Sequence, residues 1–288
     1  MPKVFESRRA SVGSGQVRRL LPHPRLRRVG AWCLVDHFGP AASTGTGAGP
    51  HPHTGLQTVT WLLDGRMHHG DSLGSSQAIV PGQLNLMTAG RGITHWEREP
   101  GDGTLTQGVQ LWIALPESHR TAPAAFEHHD SLPRTSLGGW SATVLVGSFA
   151  GHVSPATVHT PLVGVELVGT GALKLRLEPS FEYAVLVLEG EARVAGESAG
   201  VGQLVALSPH ETSLRIDAWV PARVLLLGGE PFAEPRVMWW NFLGATHADV
   251  VEAAHDWGEG HPRFGLEEQL PDSRIPAPSV PGFRMVPR

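Results

Sequence analysis

Residues 50–99 read PHPHTGLQTVTWLLDGRMHHGDSLGSSQAIVPGQLNLMTAGRGITHWERE, and two short elements in this run, His51-Pro52-His53 and His95-Trp96-Glu97, decide how the chain is read. Side chains alternate faces along a strand, so residues two apart point the same way. Each element carries two metal-ligand types at that spacing. If the two lie on neighbouring strands of one barrel, three imidazoles and one carboxylate converge, and that set suits a divalent transition metal. Counting on from His51 and His53 places Gln57, Val59, Trp61 and Leu63 on the ligand face and Thr58 and Thr60 on the other. Ile93 shares the face of His95.

Working outward, the rest of the chain reads as strands separated by turns. Thirty-five glycines and 24 prolines punctuate short apolar runs, the pattern of an all-β sandwich or barrel. Thr58 to Leu63 is closed by Asp64-Gly65, a hairpin signal, and the return strand carries Met67-His68-His69. Adjacent histidines face opposite ways, so these two cannot both join one interior site, although one can line its mouth. The turn Ala89-Gly90-Arg91-Gly92 delivers His95 and Glu97. It lacks the Lys-Ser/Thr ending and the helix that a phosphate loop needs.

Val109 to Leu115 reads as a further strand with Trp112 in the core. From Pro116 to Arg134 the composition turns polar and Pro-rich, as an inter-domain connection with His128 and His129 exposed. A second β-region then echoes the first. Tyr183–Leu188 before Glu189-Gly190 matches Val59–Leu63 before Asp64-Gly65, and Gly202-Gln203-Leu204 matches Gly82-Gln83-Leu84. Anchored on those glycines, Arg176 and Glu178 fall where His51 and His53 stand. The echo implies a duplicated barrel with metal chemistry in the first copy: an N-terminal metal-binding domain at 1–135 and a C-terminal domain without metal ligands at 136–288. Ser208-Pro209-His210-Glu211 lacks a third orienting group and is not read as a nucleophile and base. His247 to Trp257 has helical periodicity, and Pro271 to Arg288 reads as an extended tail lying on a neighbour.

Composition excludes several classes. At 41% apolar over 288 residues the chain can bury a full core, so disorder is not expected. A formal net charge of −4 announces no nucleic-acid surface. Arg18, Arg19, Arg25, Arg27 and Arg28 read as a solvated or edge-guarding cluster before a phosphate patch. The single cysteine, Cys33, sits in an apolar run and reads as a core thiol in a reducing compartment. No segment has signal-peptide or membrane-spanning character, so a cytoplasmic protein with no membrane partner is expected.

Asp36-His37-Phe38-Gly39-Pro40, His51-Pro52-His53 with Gly55 and Thr58-Val59-Thr60, the run Met87-Thr88-Ala89-Gly90-Arg91-Gly92-Ile93-Thr94-His95, and Gly228-Gly229-Glu230-Pro231 together resemble the pirin family, a branch of the cupins. The resemblance spans about residues 16–260. It implies two tandem cupin-type jelly-roll β-barrels with a short C-terminal helix. It also implies one iron-type centre ligated by His51, His53, His95 and Glu97. Two departures stand out: Gln57 where the family keeps a glutamate, and Trp96 where it keeps a small residue. A neutral amide is a poor ligand for a hard cation, so Glu97 is the expected anionic donor, and the parity of Trp96 points it away from the metal.

The metal expected is Fe(II), with Mn, Ni, Cu or Zn as alternatives. The activity implied is that of a quercetin 2,3-dioxygenase, which opens the central ring of a flavonol or catechol-like substrate with dioxygen and releases carbon monoxide. Glu97 would double as the base. The alternative is a non-catalytic, redox-sensing module that binds a transcription factor or enzyme. The Arg cluster and Trp239-Trp240 motivate that second reading.

Overall fold

The computed structural model describes residues 1–13, 15–265, 270–282 and 285. It is built almost wholly of β-strands, with one helix longer than a single turn among the described residues. Two compact units emerge. One comprises Met1–Ala10, Val17–His37 and His129–Phe232; the other comprises Ser11–Gln16, Phe38–His128 and Ala233–Arg288. These are not the contiguous halves 1–135 and 136–288, because the N-terminal strands pair with late ones. Lys3 lies opposite Ala206, and Glu6 opposite Gln203.

The second unit carries the two ligand elements. Its strands are β1 (Gly47–His53), β2 (Leu56–Asp64), β3 (Met67–Asp71), β4 (Ser76–Ile79), β5 (Leu84–Thr88), β6 (Ile93–Arg98), β7 (Leu105–Ala114) and β8 (Ala125–His129). One sheet runs in the order β1-β6-β3-β4, and the other contains β8-β5-β2-β7 as neighbours. Leu56 to Leu63 is buried on both faces, which explains why β2 reads as a continuous apolar-and-threonine run rather than an alternating one.

Between β1 and β2 the chain turns a corner from one sheet into the other. Gly55 sits there at φ 72°, and a Cβ on it would lie 2.1 Å from the Leu243 carbonyl oxygen, so only glycine fits. The same junction bonds Gly55 N–H to Gly90 O at 2.8 Å and Leu115 N–H to Gly55 O at 3.0 Å. Gly90, at φ 51°, meets the Ala122 carbonyl as closely. The corner therefore ties the loop that delivers His95 to the end of the strand that delivers His53.

The helix α1 (His247–Gly258) starts where the periodicity predicts. Thr246 caps it, and Asp249 bonds back to the Thr246 N–H in a capping box. Val250, Ala253 and Trp257 turn inward against Val237, Phe242 and Phe264, and Trp239 and Trp240 pack half-buried on this cluster. The tail from 270 to 282 has no regular structure and lies on its own unit. Ile275 N–H donates to Pro50 O at 2.8 Å, Trp257 Nε1–H donates to Ile275 O at 2.9 Å, and Arg98 pairs with Asp272. It thereby braces the residues leading into His51.

The first unit is a nine-stranded antiparallel sheet folded around an apolar interior. Leu173, Leu175 and Leu177 point inward there, with Val185, Val187, Leu214 and Ile216. Arg176 and Glu178 are exposed, correcting the expectation that they occupy the positions of the histidine pair. Leucine alternation sets which residues face in, and anchoring on turn glycines missed it by one residue. Cys33 is 3% exposed, and burial pushes its thiol up to about 12. Arg19 grips the buried Asp36 with two bonds of 2.7 and 2.5 Å, and Arg28 donates to Phe232 O and lies over the Phe232 ring. These two arginines hold the fold together rather than forming an anion patch.

Trp96 faces away from the ligands, as its parity requires. It lies opposite Gly70 with its ring against that α-carbon, and a Cβ on Gly70 would come within 2.4 Å of the indole. A Gly70→Ala variant is expected to lose about 1–3 kcal/mol in urea unfolding. Trp96→Ala in the same chain should recover most of the loss. Equal losses in the single and double variants would show that the indole is not what excludes the methyl.

Candidate metal centre

Strands β1 and β6 pair antiparallel with Ile93 opposite His53 and His95 opposite His51. A bulge between His95 and Glu97 then shifts the register, so that Glu97 lies opposite Ala48. On the other edge of β6, His95 lies opposite Asp71 and Glu97 opposite His69. The inward face of this sheet thus carries His51 and His53 on one strand, His95 and Glu97 on the next, and Asp71 and His69 on the third.

One ring nitrogen from each of His51, His53 and His95 lies within 4.8 Å of the others. The ring centroids are 4.3 Å apart for His51 and His95, 4.9 Å for His53 and His95, and 5.1 Å for His51 and His53. Burial pulls the pKa of His51 down to about 4 and those of His53 and His95 well below the ordinary value, with the neighbouring imidazoles adding to the effect. All three are therefore neutral at physiological pH, the state in which imidazole ligates a metal.

The hydrogen bonds fit a metal as well. His51 Nδ1 lies 2.7 Å from Gly49 O, which fixes that nitrogen as the N–H and leaves the other with its lone pair. Both ring nitrogens of His95 and Nδ1 of His53 are buried without a hydrogen-bond partner. Leaving a buried polar atom unsatisfied costs about 1–3 kcal/mol, and a cation among the three rings would remove part of that cost. The donor set is nitrogen-rich with no thiolate, which fits a catalytic-type site in place of a closed structural zinc.

Glu97 stands beside the triad but not in its tight cluster. Its carboxyl is turned toward Thr60, whose Oγ1 lies 3.5 Å from Oε1, and toward His69. Burial pushes its pKa up, with His69 and Thr60 opposing that shift. Glu97 as the fourth ligand is therefore a proposal, and it is taken up below.

The interior face of β2 differs from the sequence reading. Thr60 Oγ1 reaches toward Glu97, and Trp112, the register partner of Thr58, stands edge-on to the His53 ring at 5.0 Å. Thr58 and Thr60 therefore line the site, and Gln57, Val59, Trp61 and Leu63 take the opposite face. Counting by two fails because the corner at Gly55 changes sheets. Gln57 is fully buried on that far side, donating to Thr88 Oγ1 at 2.9 Å, so its replacement of a glutamate does not touch the triad.

Two further residues belong to the site. His69 Nε2 lies 3.1 Å from Asp71 Oδ2, its ring is stacked on Phe126 at 4.3 Å, and it stands 5.3 Å from His95. Asp71 is buried, but bonds from His69 and Ser75 outweigh the desolvation and hold its carboxyl below the usual range. The His69-Gly70-Asp71 spacing, the same i, i+2 spacing as the ligand pairs, was the signal. His68 points out to Ser76, as the alternation requires. His128 is half-buried against Asn85, Oδ1 to Nδ1 2.7 Å, and the segment expected to be a bare connection contributes β8 to the sheet. His210 is exposed and bonds only to a backbone carbonyl, so no base sits at the 208–211 turn.

The lowered histidine values set a pH dependence for the metal-free protein. Above about 6.5 these groups are neutral in both folded and unfolded chains and contribute nothing to it. As pH falls toward 4 the unfolded chain binds protons that buried His51 and, in the other unit, His37 refuse, His37 being also held at about 4 by burial and Arg18. Stability should fall over that window by up to about 1.4 kcal/mol per pH unit for each such histidine. A denaturation midpoint that stays flat between pH 6.5 and 4.5 would contradict this. His51→Ala is also expected to reduce metal content, measured by elemental analysis of untagged protein, from about one per chain to near zero.

Among known proteins, a family model described as Pirin matches residues 14–113, and one described as Pirin C-terminal cupin domain matches residues 162–265. A Pseudomonas aeruginosa protein named "Putative quercetin 2,3-dioxygenase" is 44% identical over 281 residues, 96% of this chain and 89% of that protein. A "Pirin-like protein" of Caulobacter vibrioides is 36% identical over 287 residues, 96% of this chain and 98% of that one. The crystal structure of a quercetin 2,3-dioxygenase from Acinetobacter baumannii superposes with a TM-score of 0.95 at 42% identity, covering 99% of this chain and 97% of that chain. Two cupin domains, a buried histidine triad suited to a divalent metal and these relatives agree, and the chain belongs to the pirin family.

Proposed function

We propose that this protein is a metal-dependent oxygenase that opens flavonol-type substrates, as a quercetin 2,3-dioxygenase does. The observation that carries the reading is the buried, neutral triad of His51, His53 and His95 with a carboxylate beside it. The similarly named relatives add support over nearly the whole chain. A divalent first-row metal held there, with Fe(II) favoured and Mn, Ni, Cu or Zn as alternatives, would supply a Lewis acid and a site for chemistry with dioxygen.

The chain's own residues supply the rest. Being neutral, His51, His53 and His95 would leave a bound divalent metal with net positive charge, which would favour an acidic hydroxyl in its deprotonated form. In this reading Glu97 would be both the fourth ligand, through one carboxyl oxygen, and the proton acceptor, through the other. Its carboxyl pKa is raised by burial, which brings it closer to that of an enolic hydroxyl, and Thr60 Oγ1 orients Oε1. Trp112 backs the His53 ring, and the His69–Phe126 stack closes the side beyond Glu97. These rings offer flat apolar surface to a planar ligand.

No observation favours the redox-sensing partner module. Trp239 and Trp240 pack on their own unit's core, and of the five arginines that motivated it Arg19 is tied to Asp36, Arg28 to Phe232, and Arg25 lies over the Phe5 ring. No helix among the described residues is long and apolar enough to cross a membrane.

Protein loaded with each first-row metal in turn is expected to consume quercetin aerobically and release carbon monoxide. His53→Ala should abolish turnover, and Glu97→Gln should lower kcat by about 10²–10⁴-fold while retaining metal. Failure to turn over quercetin with every metal tried would remove the assignment.

A further inference from the structure

Beyond Glu97 the facing sheets carry a second group of polar side chains that the triad does not use. Thr60 lies opposite Asn85 on one side and Gln110 on the other, so all three side chains share the face that looks toward Glu97. Thr60 Oγ1 is 2.9 Å from Gln110 Oε1 and 3.5 Å from Glu97 Oε1, and its single hydrogen serves one of them at a time. On the adjacent β8, Phe126 and His128 are two residues apart and face the same way, Phe126 stacking on His69 and His128 bonding Asn85. Phe126, His128, Gln110 and Glu97 are half-buried, whereas Asn85 and His69 are buried.

Asn85 is the anomaly in that group. It is 3% exposed, its Oδ1 is engaged by His128, and its Nδ2 has no partner. Turning the amide round gives Nδ2 to His128 and strands Oδ1 instead, so one polar atom is left over in either orientation. A buried amide with spare hydrogen-bonding capacity is destabilising unless a ligand completes it. It stands one strand away from Thr60, about 4.8 Å in the hydrogen-bonding direction, and Thr60 in turn touches Glu97. That span is on the scale of a fused aromatic ring system.

We propose that this wall, Asn85 with Gln110 and the His69–Phe126 ring pair, seats the catechol-type hydroxyls of a polyhydroxylated flavonol, with the Asn85 amide as the group that selects them. The proposal rests on the flavonol reading above and adds which end of the substrate is recognised. A catechol hydroxyl both donates and accepts, so it satisfies the spare amide atom in either orientation. A site built to bond a hydroxyl rejects the analogue lacking it, because its own buried polar group is then left unpaired. Asp71 fixes the His69 ring, and Phe126 lies flat against it at an interplanar angle of 9°, which makes that end a rigid aromatic surface.

The test uses zinc-loaded full-length protein without oxygen, so that binding is read without turnover, by absorbance titration with quercetin and with 3,5,7-trihydroxyflavone, which differs from it only in lacking the two catechol hydroxyls. The wild-type protein is expected to prefer quercetin by about tenfold or more. Asn85→Leu should lose that preference, keep the affinity for 3,5,7-trihydroxyflavone within about twofold and retain one zinc per chain. Asn85→Asp, which keeps the shape of the side chain, should lose it too and serves if the leucine variant does not fold. A preference that survives in both variants, a parallel loss for both ligands, or a wild-type protein that binds the two equally would overturn the proposal and leave the flavonol reading standing. A zinc-loaded wild-type protein that binds neither would overturn both.

Discussion

The centre depends on how two antiparallel strands are clamped side by side. A histidine pair on β1 and a histidine on β6 converge only because His95 is registered opposite His51, and a one-residue slip would turn one strand's ligands to the far side of the sheet. Several contacts hold that register. Gly55 and Gly90 are bonded to each other across the corner, Thr94 Oγ1 donates to Phe264 O at 2.6 Å, and the tail holds Pro50 through Ile275. The extra residue of the bulge lies on β1, between Ala48 and His51, while β6 keeps its register along β3, and Glu97 falls two residues beyond His95, beside Thr60 and His69 rather than within the imidazole cluster.

The two units share a fold and differ in what fills them. In the first, leucines and valines pack inward, Leu173, Leu175 and Leu177 among them, and that interior is a close-packed apolar core. In the second, the corresponding space holds imidazoles, carboxylates, threonine hydroxyls and an amide. Burying so many polar groups lowers stability unless each is paired, and most are paired in networks such as His69–Asp71 and Asn85–His128. Ring nitrogens of His53 and His95 and one amide atom of Asn85 are among the buried groups left without a partner.

Much of the site could be read from the chain. His51, His53 and His95 follow from strand alternation alone, and the outward course of Trp96 follows from the same rule. The β-fold and the C-terminal helix were likewise legible from turn residues and apolar periodicity. The rule broke where the chain left a sheet: parity carried past Gly55 put Gln57 inside and Thr60 outside, the reverse of what is seen. Arg176 and Glu178 were misplaced for a related reason, since similar turns do not guarantee a shared alternation phase. His69, Asp71 and Asn85 join the site through partners far off in sequence, which a reading of local spacing cannot reach.

The interleaved make-up of the two units bears on how the polypeptide is assembled. Residues 1–10 and 17–37 belong with residues 129–232, and residues 38–128 belong with 233 onward, so neither barrel is complete until most of the polypeptide has left the ribosome. A gene cut near codon 135 would encode one fragment missing its closing helix and another missing its opening strands. Such halves would have to find each other as partners in trans, and the histidine-bearing half would emerge without α1 or the segment that braces Pro50.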